Sequence, residues 1–126
     1  MKPISLILGV TTALCLSLPA MAEITKPECV APAQPGGGFD LTCRVAQIGM
    51  AKAFERPMEV TFMPGGIGAV AFNAFNTVRT DDPNAIVAFS TGSLLNLVVG
   101  KYGEYSVDNA RWVGAAGVDY GAVIVK

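Results

Sequence analysis

Three short segments rich in glycine and hydroxyl side chains carry the chemistry that this sequence could perform. They are Gly36-Gly37-Gly38, Pro64-Gly65-Gly66 and Ser90-Thr91-Gly92-Ser93. Each follows an apolar run typical of a strand and precedes a pattern typical of a helix. Glycine allows the backbone to approach a bound molecule closely, and the first N–H groups of a helix are unpaired and carry partial positive charge. Each loop is therefore a candidate site for a small anion that needs no lysine.

The three loops are more informative together than singly. One such loop alone is better explained as a tight turn with a glycine at positive φ. Three loops that all leave the carboxyl ends of parallel strands should converge on one crevice. The hydroxyls of Ser90, Thr91 and Ser93 add donors suited to carboxylate oxygens. The sequence therefore favours one anion site built from all three loops.

Four other residues are further candidates for the site, and each also has an ordinary structural role as an alternative. Asp40 falls in the first turn of a predicted helix, and the capping of N–H groups there is its favoured role, because a carboxylate repels an anion. Phe39 either walls the crevice or packs into the core. Asp119 and Tyr120 interrupt an apolar stretch, which suits either the rim of the crevice or a surface turn.

Other chemistries lack the residues they need. The chain contains no histidine, which excludes imidazole metal sites and histidine-based catalytic triads, and we expect neither an enzyme nor a cofactor. Residues 66–71 match the G-x-G-x-x-A dinucleotide fingerprint, but the acidic residues Asp81 and Asp82 lie in a turn ended by proline instead of at the end of the next strand. No Gly-Lys-Ser/Thr follows a glycine cluster, so a phosphate-binding P-loop is excluded.

The N-terminus has the features of a secretory signal peptide. Lys2 precedes an apolar run from Ile4 to Leu18, which ends at the small-residue sequence Ala20-Met21-Ala22. The run is shorter than the roughly 20 residues that span a bilayer, which disfavours a membrane anchor. We expect residues 1–22 to be removed, and the mature protein to begin near Glu23 in the periplasm. Eight cationic and ten acidic residues then remain, a net charge of −2 that argues against nucleic-acid binding.

Cys29 and Cys43 remain after this cleavage, in a compartment that permits disulfides. One lies on a predicted strand and the other on the helix that should pack against it. Two buried free thiols are the alternative. We predict the disulfide, which would close a loop of about 15 residues and stabilise the fold by roughly 3 kcal/mol.

Alternating strands and helices must position these loops. Short apolar runs predict strands at residues 29–31, 58–63 and 86–89. Helical patterns predict helices over residues 40–55, 67–79 and 94–99. The first helix should be amphipathic, with Leu41, Val45 and Ile48 on its apolar face. This alternation predicts an α/β domain with a parallel sheet flanked by helices.

The end of the sequence, Val123 to Val125, predicts another buried strand. A domain that ended inside a core strand would leave a sheet edge uncovered. We therefore expect residues 23–126 to form the N-terminal lobe of a longer chain, with its second lobe missing from this sequence.

Three segments in order resemble a known family of proteins. They are Glu28–Arg44, with its Pro-Gly-Gly-Gly-Phe-Asp sequence, Met63–Ala71, and Phe89–Leu97, with its Phe-Ser-Thr-Gly-Ser-Leu-Leu-Asn sequence. The chain is similar here to the extracytoplasmic receptors of the tripartite tricarboxylate transporters. The Glu-Cys start, the paired cysteines and the third segment most resemble receptors for citrate and other tricarboxylates.

The resemblance implies a periplasmic binding protein of the type II class, whose two lobes close on a ligand. It implies that citrate or a related tri- or dicarboxylate is held by backbone amides, hydroxyls and waters from loops 36–40, 64–66 and 90–93. It also implies as partners one large and one small integral membrane subunit of the transporter. Two other functions stay open: an exported α/β enzyme that acts on a small carboxylate, and an interaction partner that binds no ligand.

Overall fold

A computed structural model describes residues 23–118, 120 and 122–125. The predicted signal segment, residues 1–22, and the candidate Asp119 lie outside the described residues. The strands are β1 (Glu28–Ala31), β2 (Glu59–Phe62) and β3 (Ala85–Val87). The helices are α1 (Gly38–Gly49), α2 (Ala69–Thr77) and α3 (Thr91–Val98). The predicted α/β class, with a parallel sheet flanked by helices, is confirmed.

The sheet has the order β2-β1-β3, and both pairings are parallel. Cys29 of the central strand lies opposite Val60 of β2 and Ile86 of β3. The central strand is the most buried, and Cys29, Val30 and Ala31 are each at most 1% exposed. All three strands therefore end at the same edge of the sheet.

One face of the sheet is covered by α1, which a disulfide joins to β1. The sulfurs of Cys29 and Cys43 are 2.06 Å apart, and their Cα atoms 5.5 Å, so the predicted disulfide is confirmed. Both half-cystines are buried with Met58 in one apolar cluster. Val60 and Phe62, which alternate along β2 and therefore share one face, pack against this cluster.

A second apolar cluster joins α2, α3 and the segment that follows them. Its buried members are Phe72, Leu97 and Tyr102, and Phe89 packs against them. The ring of Phe72 lies 5.7 Å from that of Tyr102 and 5.8 Å from that of Phe89, in tilted arrangements that aromatic pairs favour. This cluster anchors the beginning of α3 beside the loop that precedes α2.

The predicted apolar face of α1 is wrong. Leu41 and Ile48 are 65% and 76% exposed, and Val45 is exposed as well. The disulfide at Cys43 sets the rotation of the helix, and the residues three or four positions from Cys43, Phe39 and Ala46, are the ones that pack on the sheet. The helix also ends at Gly49 instead of residue 55.

The predicted strand at residues 123–125 is also wrong. These residues form no strand, and their side chains are exposed. A strand requires a neighbouring strand for its backbone hydrogen bonds, and residues 123–125 pair with none of the three strands of the sheet. A short apolar run does not specify such a partner. The other predicted elements differ from the structure by one to three residues at their ends. Helix α2 begins two residues late, because a turn at residues 65–68 precedes it, and ends two residues early, with Val78 as its C-cap.

The described residues include no helix with the length and apolar character needed to cross a membrane.

Candidate ligand site at the carboxyl edge of the sheet

The three glycine and hydroxyl loops lie at the same edge of the sheet. Residues 32–37 connect β1 to α1, residues 63–68 connect β2 to α2, and residues 88–90 connect β3 to α3. Because the three strands are parallel neighbours, all three connections leave from their carboxyl ends. The structure therefore brings the predicted loops together at the edge where open α/β sheets bind ligands.

The helices that follow β1 and β3 pack in different apolar clusters. α1 packs with Cys43 against the sheet, whereas α3 contributes Leu97 to the separate cluster around Phe72. The beginnings of α1 and α3 both follow the carboxyl ends of adjacent strands. This is the edge at which open α/β sheets bind their ligands.

The first turn of α1 presents unpaired N–H groups. Gly37 is its N-cap and supplies no side-chain hydrogen bond, and its φ of −92° is an ordinary value. The N–H groups of Gly38, Phe39 and Asp40 have no acceptor among the described residues. Gly36 to Gly38 are exposed. An anion could approach these N–H groups directly.

Asp40 orders the first loop. One of its carboxylate oxygens accepts a hydrogen bond from the N–H of Gly36 at 2.7 Å. Its other oxygen, Oδ1, is 2.8 Å from Nε of Arg44, as an ion pair whose geometry forms no directed hydrogen bond. The carboxylate is buried. Its contacts are those of the loop-ordering role that the sequence favours. Phe39 is half-buried and packs into the core cluster.

The second loop has an unusual backbone. Four consecutive residues, Gly65 to Gly68, have positive φ, and one of them is Ile67. The carbonyl oxygen of Ile67 accepts hydrogen bonds from the hydroxyls of Ser93, at 2.8 Å, and of Tyr102. A side chain on Gly65 would place its Cβ 2.5 Å from a methyl of Val70, so this glycine is required by the fold itself. Pro64 and Gly66 are exposed beside it.

The third loop begins α3 with a serine cap. Oγ of Ser90 accepts a hydrogen bond from the N–H of Ser93 at 3.1 Å. The N–H groups of Thr91 and Gly92 have no acceptor within the described part of the chain, and both residues are exposed. The hydroxyl of Ser93 is fully buried and donates inward to Ile67. Tyr120 is largely exposed.

Tyr102 is the residue at this edge that the sequence did not indicate. Its hydroxyl reaches a carbonyl 35 positions earlier in the chain. No motif or period links two such distant positions. The only local signal is that Tyr102 lies between the end of α3 and Gly103.

The strongest charge network lies at the opposite edge of the sheet. Arg79, at the end of α2, forms ion pairs with Glu28 and with Asp82 and stacks 4.5 Å from the ring centre of Phe75. Hydrogen bonds from Arg79 lower the pKa of the Glu28 and Asp82 carboxyls below their ordinary values, and the Glu28 carboxylate raises the pKa of Arg79. These charged side chains stabilise one another at the amino edge of the sheet. The donors of the candidate site, at the carboxyl edge, are therefore mainly backbone N–H groups.

Two cavities, of about 280 and 500 Å³, also open at this amino edge. They are lined by residues 23–27, 53–57 and 59, and no residue of the three loops lines either. Lys26 and Arg56 line both cavities, but each cavity also has acidic walls, Glu59 in the first and Glu23 and Glu55 in the second. These carboxylates oppose an anionic ligand, so the three loops remain the better candidate site. Residues 23–118, 120 and 122–125 contain no group of three or more His, Cys, Asp or Glu side chains placed to hold a metal ion.

Comparisons with protein-family models, with curated proteins and with solved structures find no match for this chain.

Proposed function

We propose that this chain is the N-terminal lobe of a periplasmic receptor, which binds citrate or a related tri- or dicarboxylate for a tripartite tricarboxylate transporter. The observation that carries the proposal is the set of unpaired N–H groups at the beginnings of the two helices that follow the adjacent strands β1 and β3. They belong to Gly38, Phe39 and Asp40 of α1 and to Thr91 and Gly92 of α3. Five donors at one edge of the sheet suit a small anion with several carboxylates.

The electrostatics of the edge agree with an anionic ligand. The partial positive charge of a helix beginning favours a carboxylate, and α1 and α3 have twelve and eight residues. Asp40 carries the opposing charge, but it is buried, and Arg44 stands 2.8 Å from it on the same helix. The ion pair reduces the repulsion that Asp40 would exert on the ligand.

The sequence resemblance supplies the finer part of the proposal. The three segments that resemble tricarboxylate receptors contain the three loops of this edge. The type II architecture, a second lobe and delivery to two integral membrane subunits follow from that resemblance. The proposed signal peptide follows from the charge and apolar pattern of residues 1–22. The receptor binds and releases its ligand without chemical change. Asp119 and Tyr120 are proposed to reach the ligand from the rim.

The test is titration calorimetry on the full-length gene product, purified after export. The titrants are citrate, tricarballylate and succinate, with sulfate as an anion that lacks carboxylates. We expect saturable binding of at least one carboxylate. Thr91→Ala should weaken it about five-fold, the effect of one hydrogen bond. Thr80→Ala is the matched control, because Thr80 is exposed in the turn that precedes β3, away from the site.

An absence of binding by every carboxylate in the panel would refute the proposal. Equal weakening by Thr91→Ala and Thr80→Ala would place the ligand away from α3. Intact-mass measurement of the exported protein tests the predicted start near Glu23, and retention of Met1 would contradict it.

A further inference from the structure

Ile67 has a backbone conformation that its side chain does not favour. Its φ is 53° and its ψ is 43°, in the left-handed region. Residues other than glycine rarely occupy this region, and a β-branched residue there is an outlier. The Ile67 side chain is 60% exposed, so burial of that side chain does not offset the strain. Another part of the chain must hold this residue in place.

Two buried hydroxyls hold the carbonyl of Ile67. Ser93, in the first turn of α3, is 0% exposed, and Tyr102, from the segment after α3, is 4% exposed. Both donate hydrogen bonds to the Ile67 carbonyl oxygen, which has two lone pairs to accept them. If Ile67 moved to an ordinary conformation, Ser93 would keep only its contact with Oγ of Ser90, at 3.1 Å, and the buried Tyr102 hydroxyl would have no partner among the described residues, which is costly.

Gly68 gives these hydroxyls the space they need. Its φ is 98°, and a Cβ there would lie 3.1 Å from the hydroxyl oxygen of Tyr102 and 3.4 Å from that of Ser93. The glycine therefore allows both donors to reach the neighbouring carbonyl. The strained backbone of Ile67, the two hydroxyl donors and the space beside Gly68 depend on one another. We name these four residues the Ile67 lock: Ile67, Gly68, Ser93 and Tyr102.

We infer that Ser93 and Tyr102 are positioning residues for the ligand site, acting through the Ile67 lock. The N–H groups of Gly66 and Ile67 make no hydrogen bond within the described chain, and both residues are exposed at the carboxyl edge. The lock fixes how these two donors face the ligand and couples the second loop to α3. Ser93 therefore acts on the ligand through Ile67 and not as a direct donor. The ligand part of this inference rests on the proposed function.

The lock itself is tested without ligand, by hydrogen exchange of backbone amides. The N–H groups of Gly68 and Val70 donate to the carbonyl of Gly65 inside the locked turn. Tyr102→Phe keeps the ring and removes one hydrogen bond to Ile67, so exchange at these amides should become about five-fold faster. Ser93→Ala should act in the same direction.

Two further variants separate the lock from ring packing. Tyr105→Phe is the matched control, because Tyr105 packs 5.8 Å from Phe72 in the same cluster and its hydroxyl has no hydrogen bond among the described residues. It should leave exchange unchanged. Ile67→Gly removes the conformational cost at this position, so it should restore slow exchange in the Tyr102→Phe protein. Packing alone would give no such rescue.

Citrate calorimetry then tests the positioning role. Tyr102→Phe should weaken citrate binding about five-fold, Ile67→Gly should restore it, and Tyr105→Phe should leave it unchanged. Unchanged exchange in both Tyr102→Phe and Ser93→Ala would overturn the lock, whatever the ligand does. Faster exchange with wild-type citrate affinity would overturn the positioning role while the receptor proposal stands. A wild-type protein that binds no carboxylate would refute the proposed function and the positioning role, although the exchange result would still decide whether the lock exists.

Discussion

Valine at two glycines of the candidate site should impair two different properties, ligand binding at Gly37 and the stability of the fold at Gly65. Gly37 and Gly65 both lie in loops at the carboxyl edge, and valine at either position puts a branched side chain where a ligand would approach. At Gly37, φ is −92° and the nearest atom to an added Cβ is the carbonyl oxygen of Gln34, at 3.8 Å. At Gly65, φ is +140° and the added Cβ would be 2.5 Å from Val70.

The magnitudes follow from these surroundings. For Gly37→Val, the loss of a favourable N-cap residue and the lower entropy of the unfolded chain largely offset each other, so the free energy of unfolding should change by less than about 1 kcal/mol. For Gly65→Val, overpacking and a strained φ should together cost roughly 2–4 kcal/mol. Position 37 immediately precedes the three unpaired N–H groups of α1, so we expect valine there to block a carboxylate from them and to weaken citrate binding roughly a hundred-fold.

The assays are urea unfolding and citrate calorimetry on the same preparations. Gly37→Val should unfold like the wild type and bind citrate roughly a hundred-fold more weakly. Gly65→Val should show its main defect in unfolding. If Gly37→Val keeps the fold and also binds citrate normally, then the carboxylate does not dock at the beginning of α1. The backbone mechanism would then be wrong, even where the receptor proposal survives.

Three further predictions concern stability. Hydrogen bonds from Arg79 lower the pKa of the Glu28 carboxyl below its ordinary 4.5, so this group stabilises the fold above that pH and loses the effect as the pH falls through the lowered pKa. Glu28→Gln should therefore be less stable than wild type in urea at about pH 7, and an equal difference at about pH 3 would contradict this reasoning. Replacing both half-cystines with alanine should cost about 3 kcal/mol, because the disulfide spans 14 positions; an unchanged urea midpoint would argue against it. Ile48→Ser should cost less than about 0.5 kcal/mol and Met58→Ala about 2–5 kcal/mol, since only Met58 is buried, and the reverse ranking in thermal unfolding would show that α1 is turned the other way.

Much of the sheet and its loops could be predicted from the sequence, because these signals are local. A continuous apolar run that ends in Pro or Gly marks a buried parallel strand, and β1 follows this pattern up to Pro32. The disulfide could be predicted because its two cysteines lie on adjacent elements that must pack together. The parallel order of the strands then places the three loops at one edge without further information.

The orientation of α1 could not be predicted from hydrophobic periodicity, although the predicted disulfide already places Cys43 toward β1. The sequence of α1 holds two possible faces, one with Leu41 and Ile48 and the other with Phe39, Cys43 and Ala46. The first has two aliphatic side chains at helical spacing, and periodicity alone favours it. The covalent link at Cys43 favours the second, and a bond between distant elements outweighs the burial of two aliphatic side chains. The strand predicted at residues 123–125 is wrong for a related reason, because a short apolar run does not specify the strand with which it would pair.

Contacts between distant residues would also determine which ligand a receptor of this kind prefers. Backbone N–H groups are chemically identical in every residue, so the proposed site distinguishes carboxylates by where its donors are held. Asp40 holds the first loop, and Ser93 with Tyr102 holds the second. All three are buried, and their described polar contacts are with the protein, so changes of ligand preference should arise from these supports more readily than from exposed residues such as Thr91. A loop that is already ordered before the ligand arrives also avoids the entropy cost of ordering it, and this favours tight binding of a small anion by few contacts.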